Sequence, residues 1–270
     1  MSTRANQIDI AVDGKHIAGT LVGPDTMVPG VLLVHGWDGS QEEYIARAHE
    51  IASLGCICLT FDLRGHMRHQ AERDTVNRED NLRDLLAAYD VLVGHPSVDP
   101  RAIALVGSSY GGYLAAIVAS MRRVRWLALR VPALYRDEDW DMAKAKLDRE
   151  VLAAFRRSVV PPQANRALQA CTTFRGDVLL VESEHDSLVP RQTIQNYMKA
   201  FTQAQSLTYR MISGADHGLS EKEWQQTYTA LLVHWMTEMV LSARGGKTGV
   251  AAQEPQARSA QKIPRGIARD

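Results

Sequence analysis

Short apolar segments alternate with longer amphipathic stretches along most of the chain. Six apolar segments follow Gly30, and the residues between them carry apolar positions at helical spacing. This alternation predicts a mostly parallel sheet with helices on both faces, an α/β fold. The predicted strands cover 31–35, 56–61, 102–106, 124–130, 177–182 and 207–212.

The start of the chain has a different pattern. Residues 7–12 and 16–22 alternate in polarity and flank the residues "DGK", beginning at Asp13. An Asp-Gly pair favours the positive φ angles of a two-residue hairpin turn. We therefore expect an antiparallel hairpin at the edge of the sheet.

Helix signals fill the gaps between the predicted strands. Ser40 and Glu43 match a capping box before the first helix, and a second helix places its apolar residues on one face. A charged helical segment over 138–157 is interpreted as part of a small cap, inserted over 132–160. The last amphipathic helix is predicted over 221–241. We expect one domain over 1–242, followed by a mobile tail over 243–270 that is rich in Gly, Ala, Gln and Arg.

Composition limits the classes of partner. The 270 residues are 45% hydrophobic, and Lys plus Arg equal Asp plus Glu at 31 each, so no net charge attracts nucleic acid. The apolar runs are too short to cross a membrane, and no secretory signal is recognised. Cys56 and Cys58 are expected to be reduced core residues. A cytoplasmic location follows as the expectation, and a homodimer stays open.

The residues "VGSSYGGY" contain the best candidate for chemistry. A G-x-S-x-G elbow needs small residues two before and two after its serine, and Gly107 and Gly111 meet this requirement for Ser109. The same count from Ser108 gives Val106 and Tyr110, which would crowd the turn. Ser109 is thus the candidate nucleophile. The alternative is a serine that only caps a helix in a glycine-rich turn.

A serine hydroxyl needs a general base and a group that orients this base. Asp186 and His217 both follow predicted strands, at the edge where a parallel sheet presents its functional residues. Their order after Ser109 is serine, acid, histidine. Glu182 and Glu184 compete with Asp186 as the acid. A helix cap for Asp186 and a surface loop for His217 are the structural alternatives.

An oxyanion formed from a carbonyl group needs N–H donors that are already in place. The backbone N–H of Tyr110 follows the nucleophile directly. The second candidate is Trp37 in "HGWDGS", where Gly36 permits close backbone approach. Trp37 as a wall of the pocket or a core residue is the alternative.

Weaker signals concern the substrate and metals. Arg130, which ends a predicted strand, is a candidate for binding an anionic acyl group, with a structural ion pair as the alternative. Tyr135 and Trp140 of the cap are candidates for lining the site, although a cap helix that buries its own face explains them equally well. His66 and His69 lack the further ligands of a metal site. We expect neither metal nor cofactor.

Taken together, "HGWDG", "FDLRGHMRH", "GSSYGGY", "EHDSLVP" and "ADHG" resemble the α/β-hydrolase superfamily across residues 31–220. "GSSYGGYLAA" and the N-terminal hairpin resemble its esterase, prolyl-oligopeptidase-type and dienelactone-hydrolase-like branches. Two features depart from these relatives: 270 residues leave no room for the propeller domain of prolyl oligopeptidases, and dienelactone hydrolases typically have cysteine at the position of Ser109. The usual "RGHGxS" run is also replaced by "RGHMRH".

These observations favour a serine hydrolase that cleaves small soluble carboxylic esters through an acyl-serine intermediate. The expected partner is a small-molecule ester, without nucleic acid or membrane. An amidase or aminopeptidase of the prolyl-oligopeptidase type is the first alternative. A non-catalytic binding protein with the same fold is the second.

Overall fold

An eight-stranded sheet organises the part of the chain that the computed structural model describes, residues 4–23 and 28–245. The strand order is β1-β2-β4-β3-β5-β6-β7-β8. From β4 to β8 every neighbouring pair is parallel, which confirms the predicted α/β sheet. The strands are β1 (Arg4–Val12), β2 (Lys15–Gly23), β3 (Val28–Val34), β4 (Ile57–Phe61), β5 (Val98–Ser108), β6 (Trp126–Arg130), β7 (Asp177–Ser183) and β8 (Ser206–Ile212).

The predicted hairpin forms one edge of this sheet. β1 and β2 pair antiparallel, and Asp13 and Gly14 both have positive φ, 50° and 73°. These angles are typical of the two-residue turn that matches the twist of a hairpin. β2 then pairs antiparallel with β4, which attaches the hairpin to the parallel strands.

Six of the seven α-helices within the described residues cover the two faces of the sheet, and α4 belongs to the cap. Helices α1 and α7 pack on one face, and α2, α3, α5 and α6 pack on the other. Alternate residues of β3 follow this division, since Leu32 and Val34 face α2 and α3, whereas Val31 and Leu33 face α1 and α7. The helices are α1 (Glu42–Ala52), α2 (Arg78–Gly94), α3 (Tyr110–Met121), α4 (Arg149–Arg156), α5 (Arg166–Thr173), α6 (Arg191–Ala200) and α7 (Lys222–Gly245).

The predicted start of α1 is wrong in its capping residue. The residue that precedes the helix is Gln41, and it makes no side-chain capping bond. Its amide instead donates to Asp62 and accepts from Thr20. A capping box does occur at α2, where the Asn77 side chain accepts from the Asp80 backbone N–H and the Asp80 carboxylate accepts from the Asn77 backbone N–H.

The cap also differs from its prediction. Residues 138–157 do not form one helix: two short 3-10 turns, Asp137–Asp139 and Lys144–Lys146, precede α4. The backbone is extended at Ala143, and the Asp148 carboxylate caps α4 by accepting from two backbone N–H groups. Tertiary contacts of the residues before α4 therefore override helical propensity.

The ends of the chain bear on three further expectations. α7 continues to Gly245, so the predicted domain end at 242 falls within a helix. The rest of the predicted tail, 246–270, lies outside the described residues. Cys56 and Cys58 are buried and free, in agreement with the prediction. Within 4–23 and 28–245, no helix has the length and apolar character needed to span a membrane.

Candidate active site

Ser109 lies at a strained turn between β5 and α3. Its φ and ψ are 52° and −115°, a conformation that is costly for a residue other than glycine. A Cβ at Gly107 would lie 2.6 Å from the carbonyl oxygen of Gly111, and one at Gly111 would lie 2.4 Å from that of His35. Only glycine at both positions allows the backbone to close around Ser109. The glycine spacing that identifies Ser109 in the sequence is thus a steric requirement of the turn.

The side chain of the neighbouring Ser108 points to the other face of the sheet. Ser108 is 2% exposed, and its Oγ accepts a hydrogen bond from Arg130 Nε at 3.3 Å. Ser109 is partly exposed. Ser109, the serine that the glycine spacing selects, is therefore the accessible one of the two.

His217 connects Ser109 to Asp186. His217 Nε2 lies 3.0 Å from Ser109 Oγ, and its Nδ1 lies 2.7 Å from Asp186 Oδ2. Because a carboxylate only accepts, the Nδ1 carries the proton and Nε2 is free to accept the serine proton. The Asp186 side chain is 2% exposed, and its Oδ1 accepts from the backbone N–H groups of Leu188 and Val189. These bonds fix the carboxylate against the imidazole.

The two competing glutamates are engaged elsewhere. Glu182 Oε2 accepts a hydrogen bond from the Tyr209 hydroxyl. Glu184 Oε2 accepts from Ser213 Oγ at 2.6 Å and from the Gly214 backbone N–H at 2.7 Å. Of the three acidic candidates, Asp186 is the one in contact with His217.

The loop after β3 comes close to Ser109. A Cβ added to Gly36 would lie 3.4 Å from Ser109 Cβ, so a side chain there would occupy the approach to the hydroxyl. The Gly36 carbonyl accepts from His35 Nδ1 at 2.7 Å and from the Gly39 backbone N–H at 3.1 Å, which fixes the loop. Tyr110 is the first residue of α3, so its N–H has no acceptor within the helix. The backbone of Trp37 lies between these fixed points and remains the second candidate donor.

Two basic side chains and a neutral histidine surround the Trp37 ring. Lys144 Nζ lies 3.7 Å from the ring centroid, Arg73 lies at 5.1 Å, and the His66 ring packs edge-on at 4.5 Å. Burial lowers the pKa of His66 to about 3. Burial also lowers the pKa of Lys144 well below its usual range, and the nearby Arg156 adds to this shift. The sequence pattern gave no signal for Lys144, which lies among charged cap residues.

Arg130 occupies a different position from the one expected of a substrate-binding residue. Its Nη1 donates to the backbone carbonyl of His217 at 2.9 Å, and its guanidinium lies 5.6 Å from the Tyr228 ring on the α7 face. It also lines a cavity of 370 Å³ with Ser108, and Ser109 is not among the lining residues. In this geometry, Arg130 holds the His217 loop from the side of the sheet that α7 covers.

Tyr135 and Trp140 are both buried, and Tyr135 belongs to a group of aromatic rings that includes Tyr110, the residue after Ser109. The Tyr135 ring lies 5.6 Å from that of Tyr110. Trp140 lies farther out, where its Nε1 donates to Glu79 Oε2 at 2.9 Å and Arg166 stacks on its ring at 3.6 Å. Tyr135 is thus the nearer of the two to the nucleophile, and Trp140 attaches the cap to α2.

The histidines that follow β4 are not part of a metal-binding group. His66 Nδ1 lies 2.9 Å from the Arg64 carbonyl oxygen. Over the described residues, no three His, Cys, Asp or Glu side chains are grouped closely enough to hold a metal ion. Independence from metals stays a prediction.

Comparison with known families assigns the chain to one of them. A family model described as the prolyl oligopeptidase family matches residues 43–242, which contain Ser109, Asp186 and His217. This protein belongs to the prolyl oligopeptidase family. It is therefore a hydrolase of the α/β-hydrolase superfamily, as the sequence motifs predict.

Individual proteins that resemble this chain share less than a third of its residues in the matched regions. The thiohydrolase AneE of Aspergillus aculeatus is 31% identical over 155 residues, a match that covers 54% of this chain and 49% of that protein. The chain thus matches about half the length of this curated relative. Two solved structures share the fold. The dienelactone hydrolase of Anabaena variabilis has a TM-score of 0.64 at 19% identity, over 87% of this chain and 98% of that one. An esterase of Pyrococcus furiosus has a TM-score of 0.66 at 17% identity, over 88% and 93%.

Proposed function

We propose that this hydrolase cleaves small, soluble carboxylic esters through an acyl-Ser109 intermediate. The observation that carries the proposal is the hydrogen-bonded series from Ser109 Oγ to His217 Nε2, at 3.0 Å, and from His217 Nδ1 to Asp186 Oδ2, at 2.7 Å. A nucleophile, a base and a group that orients the base are the requirements of acyl transfer by serine.

In the first half-reaction, Ser109 Oγ attacks the ester carbonyl while His217 Nε2 accepts the serine proton. The carbonyl oxygen becomes an oxyanion and receives hydrogen bonds from the backbone N–H groups of Tyr110 and Trp37. The carbon–oxygen bond to the alcohol then breaks, and His217 donates its proton to the departing oxygen.

In the second half-reaction, a water molecule attacks the acyl-enzyme and gives its proton to His217. The bond between Ser109 Oγ and the acyl carbon breaks as His217 returns the proton to the serine. The net reaction consumes one ester and one water, and it releases one acid and one alcohol. The Asp186 carboxylate accepts from His217 Nδ1 and stabilises the imidazolium during both halves.

Small substrates are favoured by the cap. Residues 136–150 carry ten charged side chains. The segment contacts α2 through the hydrogen bond from Trp140 to Glu79, and it contacts the loop after β3 where Lys144 lies over the Trp37 ring. Such a segment offers little apolar surface for a long acyl chain. The expected substrates are therefore esters whose short acyl group binds next to Tyr110 and Tyr135.

Thioester hydrolysis is the second candidate, because the relative AneE is named a thiohydrolase. The same steps apply, with a thiol as the leaving group. Amide hydrolysis, to which the family's name points, is a third and requires protonation of a poorer leaving group.

A substrate panel separates these candidates. We expect acetyl to butyryl p-nitrophenyl esters to give a higher kcat/KM than decanoyl or palmitoyl esters, and Ser109→Ala to abolish turnover. Matched thioesters and aminoacyl p-nitroanilides are measured in parallel. A kcat/KM that rises through palmitoyl would contradict the small-substrate proposal. Absence of turnover on the whole panel, with no labelling by a fluorophosphonate, would favour the binding-protein alternative.

A further inference from the structure

Arg78, the first residue of α2, is a buried cation without a hydrogen-bond acceptor. It is 0% exposed, and none of its three side-chain nitrogens has a partner among the described residues. A guanidinium carries five N–H donors and no acceptor, and burial without partners is unfavourable. Its position at a helix N-terminus adds to this cost, because the helix dipole favours negative charge there. An unpaired arginine in this place calls for a functional explanation.

The surroundings of Arg78 are aromatic. Its guanidinium lies 5.4 Å from the Tyr135 ring centroid and 5.9 Å from that of Trp140. These contacts stabilise the charge through the ring faces, but they do not satisfy the N–H groups. The hydroxyl of Tyr113 is a second buried group without a partner, and its ring lies 4.9 Å from Tyr135. Arg78 and Tyr113 thus both contact Tyr135, and both carry N–H or O–H donors without an acceptor.

The nearby carboxylates are engaged with other partners. Each acidic side chain on the first two turns of α2, and Asp137 of the cap, bonds to a different group. The pairs are Glu79 with Trp140, Asp80 with Asn77 and Arg83, Asp84 with Arg64, and Asp137 with Arg166. No carboxylate of the described residues accepts a hydrogen bond from Arg78.

Two further basic side chains lie near the same ring. Lys144 Nζ lies 5.8 Å from the Tyr135 centroid, and Arg156 lies at 4.9 Å. Arg156 is satisfied by the carbonyls of Leu134 and Leu188. Lys144 is only partly buried as a residue, and its long flexible side chain reaches the group from the cap. Arg78 and Arg156 place two positive charges near Tyr135 that favour an anion, and a bound anion would in turn favour the protonated form of Lys144.

This aromatic group is continuous with the candidate active site. Tyr135 packs 5.6 Å from Tyr110, and Tyr110 directly follows the nucleophile. Arg78 is thus separated from the oxyanion donors by the Tyr110 and Tyr135 rings. A ligand that contacts both Ser109 and Arg78 has to extend along these two rings.

We propose that Arg78 and the Tyr113 hydroxyl form a binding site for a carboxylate on the acyl part of the substrate, with Lys144 as a second cation from the cap. The inference rests on the proposed function and narrows its substrate class. The preferred substrates are monoesters or monothioesters of short dicarboxylic acids. Water replaces the alcohol or thiol at one end, and the free carboxylate at the other end is held by the arginine fork.

A binding experiment tests the site without catalysis. We expect glutarate to bind the Ser109→Ala protein in calorimetric titrations, and Arg78→Met in this background to weaken binding by roughly tenfold or more, because a charged hydrogen-bond partner is lost. The control is Arg83→Met, an exposed arginine on the same helix, which should leave the affinity unchanged. Equal affinities for the Arg78 and Arg83 variants, or no binding of glutarate, would overturn the proposal.

A kinetic comparison tests the substrate class. We expect the enzyme to hydrolyse monoethyl glutarate and monoethyl adipate with a kcat/KM at least about tenfold above that of the neutral ethyl valerate and ethyl hexanoate. Arg78→Met should remove this preference, whereas Arg83→Met should keep it. Turnover of neutral esters without any preference would overturn the carboxylate site and leave the proposed function intact.

Thermal stability separates a binding arginine from a structural one. Since Arg78 makes no hydrogen bond to the described chain, Arg78→Met should keep or raise the Tm. A lowered Tm together with an unchanged preference would show that Arg78 has a structural role and would contradict the proposal. If no ester is hydrolysed and Ser109 resists labelling, the proposed function fails, while the glutarate titration still decides whether the carboxylate site exists.

Discussion

Arg130 Nη1 donates a hydrogen bond to the backbone carbonyl of His217 at 2.9 Å. This bond joins the end of β6 to the loop that carries the imidazole. It lies on the face of the sheet occupied by α7, where the guanidinium is 5.6 Å from the Tyr228 ring centroid. The position of the base thus depends on a residue that does not touch the nucleophile.

Removal of this contact should affect turnover more than substrate binding. We expect Arg130→Met to lower kcat by about 10- to 100-fold, because a small displacement of a catalytic group is costly, while KM changes by less than about threefold. Arg130→Lys should restore part of the loss. The measurement is the kcat and KM of neutral and anionic esters. A rise in KM for anionic esters alone would instead support the earlier expectation that Arg130 binds the acyl group.

The two serines give a direct test of the nucleophile. Ser109→Ala should abolish covalent labelling by a fluorophosphonate, whereas Ser108→Ala should keep most of it, since Ser108 Oγ faces Arg130. The adduct is located by mass spectrometry of tryptic peptides. An adduct on Ser108 would show that the elbow is assigned to the wrong residue.

Two substitutions of a carboxylate by its amide test which acidic residue orients His217. Asp186→Asn keeps the shape of the side chain but no longer favours the Nδ1 proton of His217, so we expect kcat to fall by roughly 10³- to 10⁴-fold. Glu184→Gln changes an exposed carboxylate that bonds to Ser213 and Gly214, and should cost less than about threefold. Comparable losses in the two variants would refute the choice of Asp186.

Gly111 tests the steric basis of the elbow. A Cβ at Gly111 would lie 2.4 Å from a backbone oxygen, so we expect Gly111→Ala to lower the free energy of unfolding by about 3 kcal/mol or to prevent folding. The control is Gly94→Ala at the end of α2, where a Cβ meets nothing within 4 Å. It should change stability by less than about 1 kcal/mol, in the stabilising direction. Urea unfolding gives both values, and a stable Gly111→Ala protein would mean that the turn can relax.

His66 should make stability depend on pH. Its pKa of about 3 in the folded protein lies below the 6.5 of an unperturbed histidine, so the unfolded chain binds the proton first. The folded state therefore loses stability as the pH falls through 6.5 and keeps losing it down to about 3. From pH 7 to pH 5, the loss from this residue is about 2 kcal/mol.

The comparison uses urea unfolding at the two pH values. His66→Phe should show a loss between pH 7 and pH 5 that is smaller than that of the unmodified protein by this amount. His234→Gln, which changes a histidine with a 79% exposed side chain on α7, should leave the loss unchanged. Equal losses in all three proteins would mean that His66 is protonated as readily in the folded state as in the unfolded chain.

The sequence by itself determined the fold and the identity of the candidate triad. The strands, the Asp13-Gly14 turn and the choice of Ser109 over Ser108 all depend on local rules: the period of apolar residues, the φ angles that glycine allows, and the space a Cβ needs. The order of Asp186 and His217 follows from strand ends, because parallel strands present their carboxyl ends at one edge. Their catalytic roles stay predictions.

Only the tertiary structure decided what the charged residues do. Arg130 lies behind His217, Lys144 reaches Trp37 from the cap, and Arg78 is buried among aromatic rings. In the sequence, each of these residues is one more cation in a chain with equal numbers of positive and negative side chains. The consequence of a charge depends on its burial and on its partners from distant segments, and neither quantity is set by residues nearby in the chain.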